Sequence, residues 1–209
     1  MKRAISVAVV LLLAGLAVAD DRAVKLADEV VRTCGGDRWA QVKILHFTFN
    51  VAQGTNLLFS AQHFWDVTVG TDLVTWKGKT VKVNVANPAG DEDSKAAYAR
   101  WVNDSYWLLA PLKLRDPGIT LTHAGTQDGL EVLHASYAGV GLTPGDQYDF
   151  YIDPDAKLVR RWEYVPEPGK KISGTWDKYQ RFGVLYLATD HQFGDKRIWF
   201  SEVSVESNR

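Results

Sequence analysis

Apolar and polar residues alternate along most of this sequence, and no other feature constrains its fold as strongly. The pattern is strict at 45–51, continues through 85, and returns at 119–205. Successive side chains of a strand lie on opposite faces, so a period of two predicts strands with one apolar and one polar face. Turn residues interrupt the pattern about every 8–12 residues, as in antiparallel sandwiches and barrels. We therefore predict a mainly β (α+β) fold, an open antiparallel β-barrel or half-barrel of about 11 strands.

A first helix is predicted at Asp21–Thr33, where apolar residues recur at helical spacing. Asp20 or Asp21 can cap its start, and the run Cys34-Gly35-Gly36 can end it. This helix precedes the first strand-like run, so it is expected to pack on the sheet from the N-terminal side of the chain.

A second, central helix is predicted at 91–109, between the two regions of alternating residues. Positions 103–105 hold Asn, Asp and Ser, which are poor residues for a helix interior, so we expect a kink or break there. Pro111 and Pro117 prevent the helix from continuing. Because the strands have a single apolar face, the N-terminal and central helices are expected to cover the concave face of the sheet.

The first 19 residues have the features of a secretory signal peptide. Lys2 and Arg3 supply positive charge, 5–18 are apolar, and Ala17-Val18-Ala19 forms a cleavage site. The alternative, a transmembrane anchor, needs about 20 apolar residues. We predict a signal peptide at 1–19 and a single domain at 20–209, periplasmic or secreted and not membrane-spanning after cleavage.

The net charge and the single cysteine exclude one class of partner and one source of stability. Removal of Lys2 and Arg3 leaves 22 basic against 25 acidic residues, so the net charge changes from −1 to −3. This balance predicts no binding of nucleic acid. Cys34 is the single cysteine, which excludes an intramolecular disulfide and leaves stability to a packed core. We predict no cofactor.

The pattern of histidines does not predict a metal site. None of the five histidines lies at a zinc-like spacing. If His123 pairs with about residue 130 in the predicted hairpin, His134 lies roughly 13 Å away along the strands. That distance is too long for shared coordination of one ion.

Catalytic motifs are also missing from the sequence, so we predict a protein that is not an enzyme. No G-x-S-x-G nucleophile motif is present. Asp104 and Asp116 flank the central segment and could act as a carboxylate pair in acid–base catalysis. We favour local roles, in which Asp104 binds backbone at the helix break and Asp116 begins the turn at Pro117-Gly118.

Large apolar side chains gather on the predicted inner face and in the central segment. Such side chains line apolar ligand sites, but they also fill the cores of wide sheets. The candidate ligand-binding residues of an apolar cavity are Phe47, Phe49, Trp65, Trp76, Trp101, Tyr106, Trp107, Leu108, Phe150, Trp162, Tyr164 and Trp176.

Two blocks of sequence carry a resemblance to a known family. They are Trp-Val-Asn-Asp-Ser-Tyr-Trp-Leu-Leu-Ala-Pro-Leu-Lys-Leu-Arg-Asp-Pro-Gly at 101–118 and Val-Gly-Leu-Thr-Pro-Gly-Asp at 140–146. With the order of predicted elements, they resemble an exported bacterial family of unknown function with a LolA/LolB-like fold, that of the outer-membrane lipoprotein-sorting carriers. The resemblance implies an unclosed barrel, plugged by helices, with an apolar cavity for acyl chains. The lipid-modified cysteine of the anchored carriers is missing here, and no lid arginine can be aligned.

Three functional hypotheses follow. The first is non-enzymatic binding of a lipid, lipoprotein acyl chain or other apolar ligand in the concave cavity. The second is a structural or interaction scaffold of the cell envelope, with a filled core, no ligand and an envelope protein as partner. The third, a hydrolase, requires a histidine and an aspartate within hydrogen-bond reach in a cleft.

Overall fold

A computed structural model describes residues 20–87, 90–138, 142–143, 145–167 and 170–208. The predicted signal peptide at 1–19 lies outside the described residues. Within them, no helix is both long and apolar enough to span a membrane.

Twelve strands form two antiparallel sheets in the described chain. The first sheet has seven strands in the order β10-β11-β12-β1-β2-β3-β4, and the second has five in the order β5-β6-β7-β8-β9. The strands are β1 (Val42–Gln53), β2 (Asn56–Asp66), β3 (Thr71–Trp76), β4 (Lys79–Asn84), β5 (Ile119–Gln127), β6 (Leu130–Tyr137), β7 (Gln147–Ile152), β8 (Val159–Glu167), β9 (Lys170–Thr175), β10 (Asp177–Phe182), β11 (Leu185–Phe193) and β12 (Lys196–Ser207).

The two sheets are joined at Trp176. This residue alone separates β9 from β10, and the chain changes partner there, from β8 on one side to β11 on the other. Strands β4 and β5 each pair on one side only, so the strands do not close into a barrel. The mainly β, open antiparallel fold predicted from the alternation is therefore confirmed, with twelve strands where about 11 were predicted.

The register of β1 and β2 shows why the alternating pattern specifies this fold. Leu45 lies opposite Trp65, and Phe47 lies opposite His63, with all four side chains buried. A slip of one residue would move this whole set to the solvent face, so burial of one face specifies the pairing.

Helix α1 (Asp21–Thr33) packs on β5 and β6. The Asp20 carboxylate caps it by accepting hydrogen bonds from the backbone N–H groups of Arg22 and Ala23. Beyond its C-terminus, Gly35 adopts φ +90° and lies directly against the backbone of Val184. A 3-10 helix at Gly36–Gln41 then leads into β1.

Helix α2 (Glu92–Leu109) runs without interruption, so the predicted break at 103–105 is wrong. Asp104 and Ser105 are buried, and the Asp104 carboxylate accepts from the Asn103 amide and contacts His63 of β2. Its oxygens are thus occupied by side chains and do not compete for helix backbone, which also corrects the backbone-binding role predicted for Asp104. Tertiary contacts outweigh the weak helix propensity of this segment.

Helix α2 crosses the concave face of the seven-stranded sheet. Its first half packs on β3 and β4, where Ala97 joins Val74 in a small core cluster. Its last two residues, Leu108 and Leu109, pack in a second cluster with Leu185 of β11. A 3-10 helix at Ala110–Lys113 follows and leads to β5.

The register of the β5–β6 hairpin differs from the predicted one. His123 lies opposite Leu133 instead of about residue 130, because the turn at Asp128-Gly129 places Gln127 opposite Leu130. An irregularity between His123 and Thr126 then shifts the pairing by one residue. His123 contacts Glu131 and His134 contacts Asp149, so each histidine has its own carboxylate. The described residues contain no group of three or more candidate ligands that could hold a metal ion.

Candidate ligand-binding cavity

A cavity of about 590 Å³ lies between α2 and the five-stranded sheet. One wall is the face of α2 from Tyr98 to Trp107, and the other is formed by the neighbouring ends of β5 to β8. Residues of 113–117 and 142–146 border it, and most of them are exposed, so the cavity opens to solvent on that side. Nine of the 19 lining residues are aromatic, which makes this a site for an apolar ligand.

Tryptophan rings form the most buried part of the cavity. The ring of Trp107 lies 4.9 Å from that of Trp162 and stacks on that of Trp176 at 5.9 Å, measured between ring centroids. Behind Trp176 lies the imidazole of His191, with the ring centroids 4.0 Å apart. Burial lowers the pKa of His191 to about 4, so this ring is neutral at physiological pH and this end of the cavity carries no charge.

Tyrosines and one carboxylate lie at the opposite, more exposed end. The hydroxyl oxygens of Tyr106 in α2 and Tyr137 in β6 are 2.6 Å apart, so a hydrogen bond joins the two walls. Asp146 accepts hydrogen bonds from the hydroxyls of Tyr148 at 3.0 Å and Tyr164 at 2.9 Å. The four tyrosines therefore present hydroxyl groups that are already paired, and their rings remain as the apolar lining.

The tyrosine hydroxyls stay protonated over the whole physiological range. Burial raises the pKa of Tyr137 to about 12 and raises that of Tyr148 further. The hydrogen bond to Asp146 raises the pKa of Tyr164. None of these groups has the lowered pKa that a base or nucleophile at neutral pH requires.

The structure divides the twelve predicted ligand-binding residues into two sets of six. The residues that line the cavity are Trp101, Tyr106, Trp107, Trp162, Tyr164 and Trp176. The residues that lie in the packed core outside its lining are Phe47, Phe49, Trp65, Trp76, Leu108 and Phe150.

Most of the second set lies away from the cavity because α2 covers the seven-stranded sheet, whereas Phe150 of β7 packs in the core cluster that contains Leu26 and Val30 of α1. Leu108 packs in one core cluster with Phe47 and Phe49, and the ring of Trp101 meets that of Trp65 edge to face at 5.2 Å. The open space is therefore confined to the half of the concave face formed by β5 to β8.

Several lining residues are not among the twelve candidates predicted from the sequence. Tyr148 alternates with Phe150 along β7, so the period of two carried a signal for it. Tyr137, Thr143 and Asp146 lie at a strand end or in a loop, where alternation gives no information. Their convergence depends on the antiparallel order of β6, β7 and β8, which brings these ends together.

A second polar cluster lies inside the core, away from the cavity. His63 Nδ1 lies 2.6 Å from Asp72 Oδ2, and His63 Nε2 lies 3.2 Å from Asp104 Oδ2. All three side chains have no exposed surface, and none of them lines the cavity. This pairing of histidine with aspartate therefore lies outside any cleft of the kind that the hydrolase hypothesis requires.

Two solved structures share the fold of this chain. A DUF1329 family protein from Desulfovibrio piger superposes with a TM-score of 0.52 at 12% identity, over 88% of this chain and 93% of that one. A LolA superfamily protein from Nitrosomonas europaea superposes with a TM-score of 0.51 at 8% identity, over 88% and 94%. The chain has a LolA-like fold, as the resemblance implied. No family profile and no curated protein sequence matches it.

Proposed function

We propose that this protein is an exported, non-enzymatic carrier that binds the apolar part of a lipid or acyl chain between α2 and the five-stranded sheet. The observation that carries the proposal is the aromatic-lined cavity of about 590 Å³. Cavities that bind small ligands have volumes of about 300–1,000 Å³ and mostly apolar walls. The predicted signal peptide supports a periplasmic or secreted location, where acyl chains must be shielded from water.

Transfer from water supplies the binding energy in this proposal. Burial of each methylene group contributes about 0.8 kcal/mol, so ten methylenes contribute about 8 kcal/mol before the entropic cost of binding. The tyrosine hydroxyls on the walls are already paired with one another or with Asp146, so an alkyl chain deprives none of them of a hydrogen-bond partner.

The segment after α2 is the proposed route of entry. It borders the cavity at Lys113, Asp116 and Pro117. Exposed ion pairs hold it, including Arg115 Nε to Asp28 Oδ1 at 2.9 Å. Surface pairs of this kind contribute roughly 0–1 kcal/mol each, so the exposed part of the segment beyond the buried Leu114 can move aside at low cost.

Native mass spectrometry of protein purified from the periplasm without detergent tests the proposal, with organic extraction of bound molecules. We expect a co-purifying lipid, and uptake of the uncharged fluorescent probe N-phenyl-1-naphthylamine by protein from which the lipid has been removed. Val102→Trp places a bulky ring in the cavity lining and should reduce uptake. Val69→Trp adds the same ring at an exposed turn and should leave uptake unchanged.

Protein that carries no lipid and takes up no probe would contradict the proposal. The envelope scaffold predicted from the sequence would then be the remaining function. Equal loss of uptake in both tryptophan variants would show that the probe does not report on this cavity.

A further inference from the structure

The charges around the cavity do not balance. Three lining residues carry charge at neutral pH, namely Lys113, Asp116 and Asp146. Lys113 Nζ lies 3.2 Å from Asp116 Oδ2, so these two form a pair. Asp146 contacts no basic side chain among the described residues, and its charge is left without a counter-ion.

Hydroxyl groups stabilise the Asp146 carboxylate without cancelling its charge. Tyr148 and Tyr164 each donate to one of its oxygens, and the Thr143 hydroxyl donates as well. Hydrogen bonds to an ionised carboxylate are stronger than neutral ones and hold the charge in place. The result is a fixed negative charge beside the open end of an aromatic cavity.

Aromatic rings pack around Tyr148, whose hydroxyl donates to Asp146. The ring of Tyr148 stacks on that of Tyr164 and meets that of Tyr137 edge to face, each at 5.2 Å between centroids. The ring of Trp162 lies 5.6 Å from the ring of Tyr148, and the ring of Tyr106 lies 5.8 Å from it, again between centroids. All five rings line the cavity. Faces of aromatic rings attract cations, and clusters of such rings bind quaternary ammonium groups.

We propose that the cavity selects amphiphiles whose head group is a positively charged alkylammonium, and that Asp146 is the counter-ion of this head group. This inference rests on the proposed function, since it assigns the head group of the same ligand. The tail would lie against the tryptophans, and the ammonium would lie among the tyrosines near Asp146. A carboxylate or phosphate head without a cationic group would meet the uncompensated charge and bind more weakly.

Binding of three amphiphiles with the same twelve-carbon tail tests the proposal, each measured below its critical micelle concentration or solubility limit. They are dodecyltrimethylammonium, dodecanol and dodecanoate, measured by displacement of N-phenyl-1-naphthylamine. We expect the ammonium compound to bind about thirtyfold more tightly than dodecanol, since a desolvated cation–aromatic contact contributes about 2 kcal/mol. Dodecanoate should bind most weakly.

Variants of Asp146 separate its charge from its hydrogen bonds. Asp146→Asn removes the counter-ion but keeps the aromatic rings, so it should lower the affinity for the ammonium compound and reduce its preference over dodecanol, whereas Asp146→Glu should keep the preference. Asp128→Asn removes a carboxylate of the same sheet at the opposite end of the β5–β6 hairpin and should change nothing. Thermal unfolding of each variant checks that the fold is retained.

The outcomes distinguish the inference from the proposed function. If none of the three compounds binds wild-type protein, the proposed function fails. If all three bind with equal affinity, the cavity binds alkyl chains but the inferred head-group selection is wrong. Tighter binding of dodecanoate than of the ammonium compound in wild-type protein would also overturn it, whether or not the variants fold.

Discussion

The imidazole Nε2 of His63 in β2 lies 3.2 Å from the Oδ2 atom of Asp104 in α2, inside the core. The other ring nitrogen lies 2.6 Å from Asp72 of β3. Burial opposes the charged imidazolium, but hydrogen bonds to Asp104 and Asp72 and their negative charges outweigh it, so the pKa of His63 is raised. His63 therefore joins the central helix to two strands through a buried, charged contact.

Replacement of His63 by alanine should strongly destabilise the fold. It would leave two buried carboxylates without their shared partner, and breaking a buried pair in this way costs about 3–5 kcal/mol. His46→Ala, at a half-buried position on the outward face of the neighbouring strand, is the control and should cost about 1 kcal/mol. Urea denaturation measures both free energies of unfolding. Equal losses in the two variants would contradict the role of His63.

Stability should fall as the pH rises above neutrality. The pKa of His63 is higher in the folded chain than the value of about 6.5 expected when unfolded. Its contribution is therefore fully present below that pH and is lost as the pH rises through the folded-state pKa. Urea denaturation at pH 6.5 to 9 should show the decline, and the Asp72→Asn/Asp104→Asn double variant should not. A free energy that rises over this range in wild-type protein would contradict the prediction.

A second histidine should weaken the fold in acid. Burial lowers the pKa of His191 to about 4, below the unfolded value of about 6.5. Its contribution is therefore present above pH 6.5 and is lost as the pH falls towards 4, by about 3 kcal/mol in all. His191→Phe keeps a ring beside Trp176 and should make the unfolding free energy less dependent on pH between 6.5 and 4. If the unfolding free energies of wild-type protein and the variant, measured in urea, change with pH in parallel, His191 is not the cause of the weakening in acid.

Gly35 should not tolerate alanine, because two constraints act there together. Its φ of +90° disfavours any side chain, and an added Cβ would lie 2.3 Å from the Val184 carbonyl oxygen. We expect Gly35→Ala to cost about 3 kcal/mol or more. Gly78 has a similar φ of +77° with no atom near its Cβ position, so Gly78→Ala should cost about 1 kcal/mol. Thermal unfolding of each variant compares their stabilities. Similar losses of stability in the two variants would mean that the contact with Val184 has no effect.

Local signals predicted most of the secondary structure. The N-terminal helix was found from its aspartate cap and its apolar spacing, and the strands were found from their period of two. The prediction that Phe47 and Phe49 lie on the buried inner face was correct, because burial of one face follows directly from alternation.

One error came from a contact between residues far apart in the chain, and another came from a local turn. The break expected at 103–105 is missing because Asp104 finds its partner in His63, 41 positions earlier. The register of the β5–β6 hairpin was wrong for a local reason, because the two-residue turn at Asp128-Gly129 places Leu130 opposite Gln127 and not opposite His123.

The sequence by itself determined a mainly β chain with one apolar face, two covering helices and enough aromatic residues to fill or line a concavity. These properties depend on neighbours along the chain. Only the tertiary structure decided that α2 fills the seven-stranded side and leaves space beside the five-stranded side. It also placed Asp146 among four tyrosines from four separate elements, since convergence in space depends on strand order and helix position, which no local pattern encodes.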